Sequence, residues 1–143
     1  MKNKLISIAC VSLLTLGFAQ VSSADDHKHG KKNRNTKCSN ATLKGSYLYA
    51  SSGIDVDGHP ISDAGLAKYD GNGHISDQTS TNEIPVITTY TGTYTINDDC
   101  TGTVVYDDNT HYTIFTGPTG DILSFIQTDA GAKIAGEQKR VAP

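Results

Sequence analysis

Between Thr89 and Ile96 the residues alternate without a break. Thr89, Thr91, Thr93 and Thr95 fall on one parity, and Tyr90, Gly92, Tyr94 and Ile96 on the other. A period of two puts successive side chains on opposite faces, so this stretch predicts a strand with one wet threonine face and one packed aromatic face. The segments around it have the same grain. Strands are predicted at Leu43–Ser51, Ala64–Tyr69, His74–Asn82, Thr88–Ile96, Thr101–Tyr106, His111–Thr116, Ile122–Thr128 and Lys133–Val141. The connections are rich in turn formers: Asp70-Gly-Asn-Gly73, Asn97-Asp-Asp99, Asp107-Asp-Asn109, Gly117-Pro-Thr-Gly120 and Asp129-Ala-Gly131. Such residues accept positive φ or make local side-chain turns. Ser39–Leu43 reads as one short turn, and no segment carries a helical period. Eight consecutive antiparallel strands close most naturally as an up-and-down barrel, which removes exposed strand edges. The expectation is therefore an all-β, eight-stranded antiparallel up-and-down barrel closed by one disulfide.

The disulfide follows from the cysteines and the first residues. Lys2 and Lys4 precede an apolar run of 15 residues, Leu5–Ala19, and a polar stretch ending Ser22-Ser23-Ala24. This run suits a signal-peptide core, whereas a spanning helix needs about 20 residues. Residues 1–24 are read as a signal peptide cut after Ala24, with Ala19 the second choice. Cys10 leaves with it. A lipoprotein cysteine would end the apolar stretch, and this one does not. Cys38 and Cys100 remain, and two cysteines in an exported chain most simply pair. The expected location is periplasmic or extracellular. Nothing after the leader is long and apolar enough to form a transmembrane segment.

Charge divides the rest. Residues 25–37 hold five Lys/Arg against two Asp and no apolar residue, and are expected to be a disordered basic tail. From residue 38 onward five Lys/Arg face thirteen Asp/Glu, a net of about −8. A domain this acidic repels nucleic acid. The domain boundaries are then 1–24, 25–37 and a barrel at 38–143.

Candidate sites are few. If the mature chain begins Asp25-Asp26-His27, its amine, two amide nitrogens and the imidazole form a square-planar set suited to Cu(II) or Ni(II). No other cofactor is expected. Asp55-x-Asp57-Gly58 and Asp70-Gly-Asn72-Gly73 look like calcium-loop fragments, but Lys68 and Thr79 stand where an EF-hand needs carboxylates, so both are read as hairpin turns. His59, His74 and His111 are available for acid–base work, yet no nucleophile elbow, zinc motif or phosphate loop accompanies them. The catalytic residues stay unknown. Tyrosines interleaved along strands either fill a core or line a ligand cavity. On the lining alternative Tyr47, Tyr90, Tyr94 and Tyr112 are the candidates. A barrel of eight strands is just wide enough to be filled by side chains or to hold one small ligand. Phe115, Ile122 and Ile126 oppose the inward residues of their strands, so a homo-oligomer contact or a folded-back segment is expected to cover them.

A family resemblance extends this reading. Cys38, Leu43-x-Gly45-x-Tyr47 and Tyr69-Asp70-Gly71-x-Gly73 begin it. Thr91-Gly92-x-Tyr94-x-Ile96, Asp99-Cys100-x-Gly102-Thr103 and Thr128-Asp129-x-Gly131 with Gly136 continue it. Together they resemble small secreted bacterial proteins with an allene oxide cyclase-like barrel, over nearly all of residues 38–141. The resemblance implies a calycin-type barrel whose relatives hold apolar substrates in the lumen and often oligomerise. No catalytic residue of those relatives maps onto this chain. The functional expectation is a secreted barrel, without enzymatic activity, that binds a small apolar ligand or a partner surface. The alternatives are a cyclase or isomerase acting on an apolar substrate in the lumen, and an envelope or host interaction protein.

Overall fold

A computed structural model describes residues 37–143. The residues read as a signal peptide, Cys10, the basic segment through residue 36 and the Asp25-Asp26-His27 set lie outside the described residues. The elements are a 3-10 turn, η1 (Asn40–Thr42), and eight strands: β1 (Lys44–Ile54), β2 (Pro60–Asp70), β3 (His74–Thr81), β4 (Thr88–Ile96), β5 (Thr101–Tyr106), β6 (His111–Thr116), β7 (Ile122–Gln127) and β8 (Ala135–Ala142). Each strand pairs antiparallel with the next, and β8 returns to β1, so the sheet is a closed barrel. A register shift at Ser46/Tyr47 marks the β1–β8 seam.

The two parities of each strand separate cleanly. Tyr47 and Ser51 on β1, Ala67 and Tyr69 on β2, Ile75, Asp77 and Thr79 on β3 are buried. Tyr94 and Ile96 on β4, Ile114 on β6, Leu123 and Phe125 on β7 and Gln138 on β8 join them. Thr89, Thr91, Thr93 and Thr95 of β4 face outward, as their alternation requires. Strand bounds differ from the sequence reading mainly in the first hairpin. β1 runs on to Ile54 and β2 begins at Pro60, pairing Ile54 with Pro60. Ser52, Gly53, Ser62 and Asp63 leave this extension without a continuous apolar stripe to detect, although its ladder is complete.

One end of the barrel is stoppered. The N-terminal segment crosses it through η1, and the Cys38–Cys100 disulfide joins that strap to the β4–β5 turn. Leu43 beneath the strap is fully buried. Tyr94 Oη faces the carbonyls of Leu43 (2.8 Å) and Asn40 (2.9 Å), and the Ile96 amide donates to Asn40 Oδ1 (2.8 Å). Arg140 closes the seam by donating to the carbonyls of Thr42 (2.9 Å) and Gly120 (3.1 Å). Tyr47, Tyr69 and Tyr94 stack edge-to-face below, with centroids 5.2 and 5.0 Å apart. Buried phenols with both a packing partner and a hydrogen-bond partner make a stable plug.

Candidate functional site: an acidic aromatic cavity in the open half of the lumen

The half of the lumen beyond Tyr69 is not filled. A cavity of about 240 Å³ opens toward the β1–β2, β3–β4, β5–β6 and β7–β8 connections. Tyr69, Ile114 and Val104 contribute to its lining from the core side. Its wall carries a run of aromatic rings in edge-to-face contact: Tyr49 with Phe125 (6.1 Å), Phe125 with Tyr112 (5.7 Å), Tyr112 with Tyr106 (5.9 Å) and Tyr106 with Tyr90 (6.5 Å). The rings alternate with small residues. At Gly65 a Cβ would lie 2.4 Å from the Gln78 carbonyl and 2.7 Å from the Tyr49 ring, so only glycine lets that ring lie against β2.

Polar groups face the rings. The phenols of Tyr49 (2.9 Å) and Tyr106 (3.1 Å) both donate to Oδ2 of Asp77. Oδ1 of the same carboxyl is buried and has no hydrogen-bond partner. Asp63, also on the wall, accepts from the Ser51 hydroxyl. Burial pushes the Asp77 carboxyl above the usual carboxylate range, the two phenols pull it back, and the charge of Asp63 pushes in the same direction as burial. Burial also raises the phenols of Tyr49, Tyr106 and Tyr112 well beyond the ordinary tyrosine value, so they act as neutral donors.

The mouth is partly apolar. Val56 lies on it; Ile84, Val86 and Ile87, which are not among the lining residues, are exposed on the β3–β4 connection, Ile87 by 78%. That connection is tied to β2 by Asn82, whose side chain accepts from the Ser62 amide (2.7 Å) and donates to the Pro60 carbonyl (3.1 Å).

Of the tyrosines singled out from the sequence, Tyr90 and Tyr112 line this cavity. Tyr47 and Tyr94 share their parity but sit at the stoppered end, engaged with Gly120, Arg140 and the strap. Parity says that a residue points inward, not at which height. Tyr49, Tyr106 and Phe125 complete the ring run, and Asp63 and Asp77 are the residues that the sequence reading passed over. Both acids lie in mid-strand, on the parity of Tyr69 and Ile75 respectively, which was the available signal.

The three described histidines, His59, His74 and His111, stand at turns or strand starts outside the cavity lining. His74 pairs with Asp70 (3.1 Å) and His111 with Asp129 (2.8 Å). His59 lies 3.6 Å from Asp55 and 3.9 Å from Glu83, and ligand-type atoms of these three lie within 4.8 Å of one another. Asp55 and Asp70 build matching turns. Asp55 Oδ1 accepts the amides of Asp57 and His59, and Asp70 Oδ1 those of Asn72 and His74. This is the hairpin chemistry read from the sequence, with Gly58, Gly71 and Gly73 in the left-handed region. Phe115, Ile122 and Ile126 face outward and are about half exposed.

No family model matches the chain, and no curated protein matches it. Among solved structures, a de novo designed fluorescence-activating β-barrel aligns with 70% of this chain and 94% of its own, at 12% identity and a TM-score of 0.46. The barrel assignment here rests on the strand pairing itself.

Proposed function

We propose that this protein is a secreted binding barrel that takes a small, largely apolar molecule into the open half of its lumen. The carrying observation is the cavity of about 240 Å³ walled by Tyr49, Tyr90, Tyr106, Tyr112 and Phe125. An apolar cavity of about 150 Å³ accommodates benzene, so this one has room for a single ring with a short chain. Apolar walls with a few convergent polar groups are what small-molecule sites look like. A disulfide at Cys38–Cys100 and a signal-like leader fit an oxidising compartment outside the cytoplasm. The allene oxide cyclase-like resemblance is in keeping with a lumenal ligand.

The test is native mass spectrometry of the protein purified from its own host, beside an Ile61→Trp variant. Ile61 lines the cavity, and the larger ring would occupy the entrance of a chain that otherwise has no tryptophan. A small-molecule adduct on the wild type that the variant loses supports the reading. An adduct retained by the variant, or none after titration with apolar ligands, sinks it.

A second reading, a cyclase or isomerase, draws on one observation: Asp77 and two phenols share a partly desolvated wall. Such a set can hold or donate a proton beside an apolar substrate. Turnover that Asp77→Asn abolishes while ligand still binds would favour it.

A further inference from the structure

We propose that the lumen selects an organic ammonium ion, a positively charged nitrogen on a short apolar or aromatic body; this rests on the reading of the lumen as a ligand site. Four carboxylates line the cavity, Asp55, Asp63, Asp77 and Asp108, and among its described lining residues there is no lysine, arginine or histidine. Lys133, next in sequence to the lining residue Ile134, is exposed, and three other basic side chains have partners of their own. Arg140 shares the inward parity of β8 but lies at the stoppered end against Tyr47. His59 and His111 sit at turns with acidic partners.

Asp77 supplies the independent sign of a ligand. It is only 6% exposed, its Oδ2 takes two phenol donors, and its Oδ1 is buried without a partner. A carboxylate out of water with an unused oxygen calls for a charged donor, and such bonds are roughly twice as strong as neutral ones. The ring run around it provides the rest of a cation site. Aromatic faces are electron-rich and attract a cation within about 6 Å of the centroid. A ligand without a donor would leave Oδ1 unpaired, a neutral hydroxyl would meet it without the added charge attraction, and an anion would face an acidic wall.

The experiment uses the full mature protein and three ligands sharing one body: phenethylammonium, phenethyl alcohol and phenylacetate. Calorimetric titration at pH 7 is combined with NMR of the Tyr49, Tyr106, Tyr112 and Phe125 ring signals. The expected result is a cation bound at least about tenfold more tightly than the alcohol, no binding of phenylacetate, and shifts at those rings. Asp77→Asn should bring the cation to the level of the alcohol, with Asp63→Asn giving a smaller loss. Equal binding of alcohol and cation by the wild type would overturn the charge selection while leaving the lumen a ligand site. Cation binding that leaves the lumen rings unshifted would overturn it as surface attraction. Failure of all three ligands to shift the rings would count against both readings. The wild-type ratio decides the matter even if Asp77→Asn does not fold.

Discussion

Arg140 donates to the phenol oxygen of Tyr47 from Nε (3.0 Å) and from a terminal nitrogen (2.8 Å), while that phenol donates onward to the Gly120 carbonyl (2.7 Å). Tyr47 is fully buried, so its oxygen has no water to fall back on. The pair ties β1 and β8, the first and last strands, to the β6–β7 connection at the point where the barrel closes.

Tyr47→Phe should therefore destabilise the barrel by roughly 1–3 kcal/mol, because it removes one satisfied hydroxyl and leaves a guanidinium and a carbonyl short of a partner. Urea denaturation reads this. The cavity lies beyond Tyr69, so ligand binding should persist under folding conditions; a variant that binds nothing while folded would contradict the two-compartment lumen.

Asp77→Asn is expected to make the protein more stable at neutral pH, by roughly 0.5–2 kcal/mol, the usual yield when a strained functional group is relieved. The sign follows from linkage. The folded-state pKa is raised, so the contribution of this group is fully present below the ordinary value of 3.8 and is lost as pH rises through the folded value. The gain should thus be present at pH 7 and vanish near pH 3. A variant no more stable than wild type at pH 7 would show that the two phenols fully offset the burial.

The turn carboxylates act in the opposite direction. Hydrogen bonds from the His74 and Asn72 amides hold Asp70 at about 2, and backbone amides likewise lower Asp55 and Asp129, with the Thr101 hydroxyl lowering Asp99. A depressed carboxylate contributes stability above its unfolded value near 3.8 that is lost as pH falls through the folded value. Stability should fall between about pH 4 and pH 2, and Asp70→Asn should flatten part of that slope. An unchanged slope in denaturation series at these pH values would remove Asp70 from the account.

Replacing both cysteines by alanine opens a loop with a sequence separation of 62 and frees the strap. The expected loss is about 2–4 kcal/mol, read as a lower Tm. Because the bond lies at the stoppered end, hydrogen exchange should rise first at Leu43, Tyr94 and Ile96, before Asp77 and Tyr106. Uniform opening of both ends would mean that the barrel has no separable plug.

The chain order of strands and turns was legible in the residues alone. The Thr/Tyr alternation of β4 assigned its two faces, and Asp-Gly and Asn-Gly chemistry located the hairpins, because both are effects of near neighbours along the backbone. The pairing of Cys38 with Cys100 followed once Cys10, the third cysteine, was read as part of the leader. The first hairpin was shortened in the sequence reading because a lumen with polar and glycine positions breaks the apolar stripe that reveals a strand. What tertiary structure decided was height along the barrel axis. Tyr47 and Tyr112 both lie on the inward side of their strands, yet one plugs the barrel and the other walls a cavity. That difference arises only when closure and strand register bring residues of different strands to a common level. Asp77, Tyr49 and Tyr106 are 28 and 29 residues apart in sequence and meet at one oxygen. No local pattern encodes such a meeting, since it is produced by the register of strands that the residues themselves do not touch along the chain.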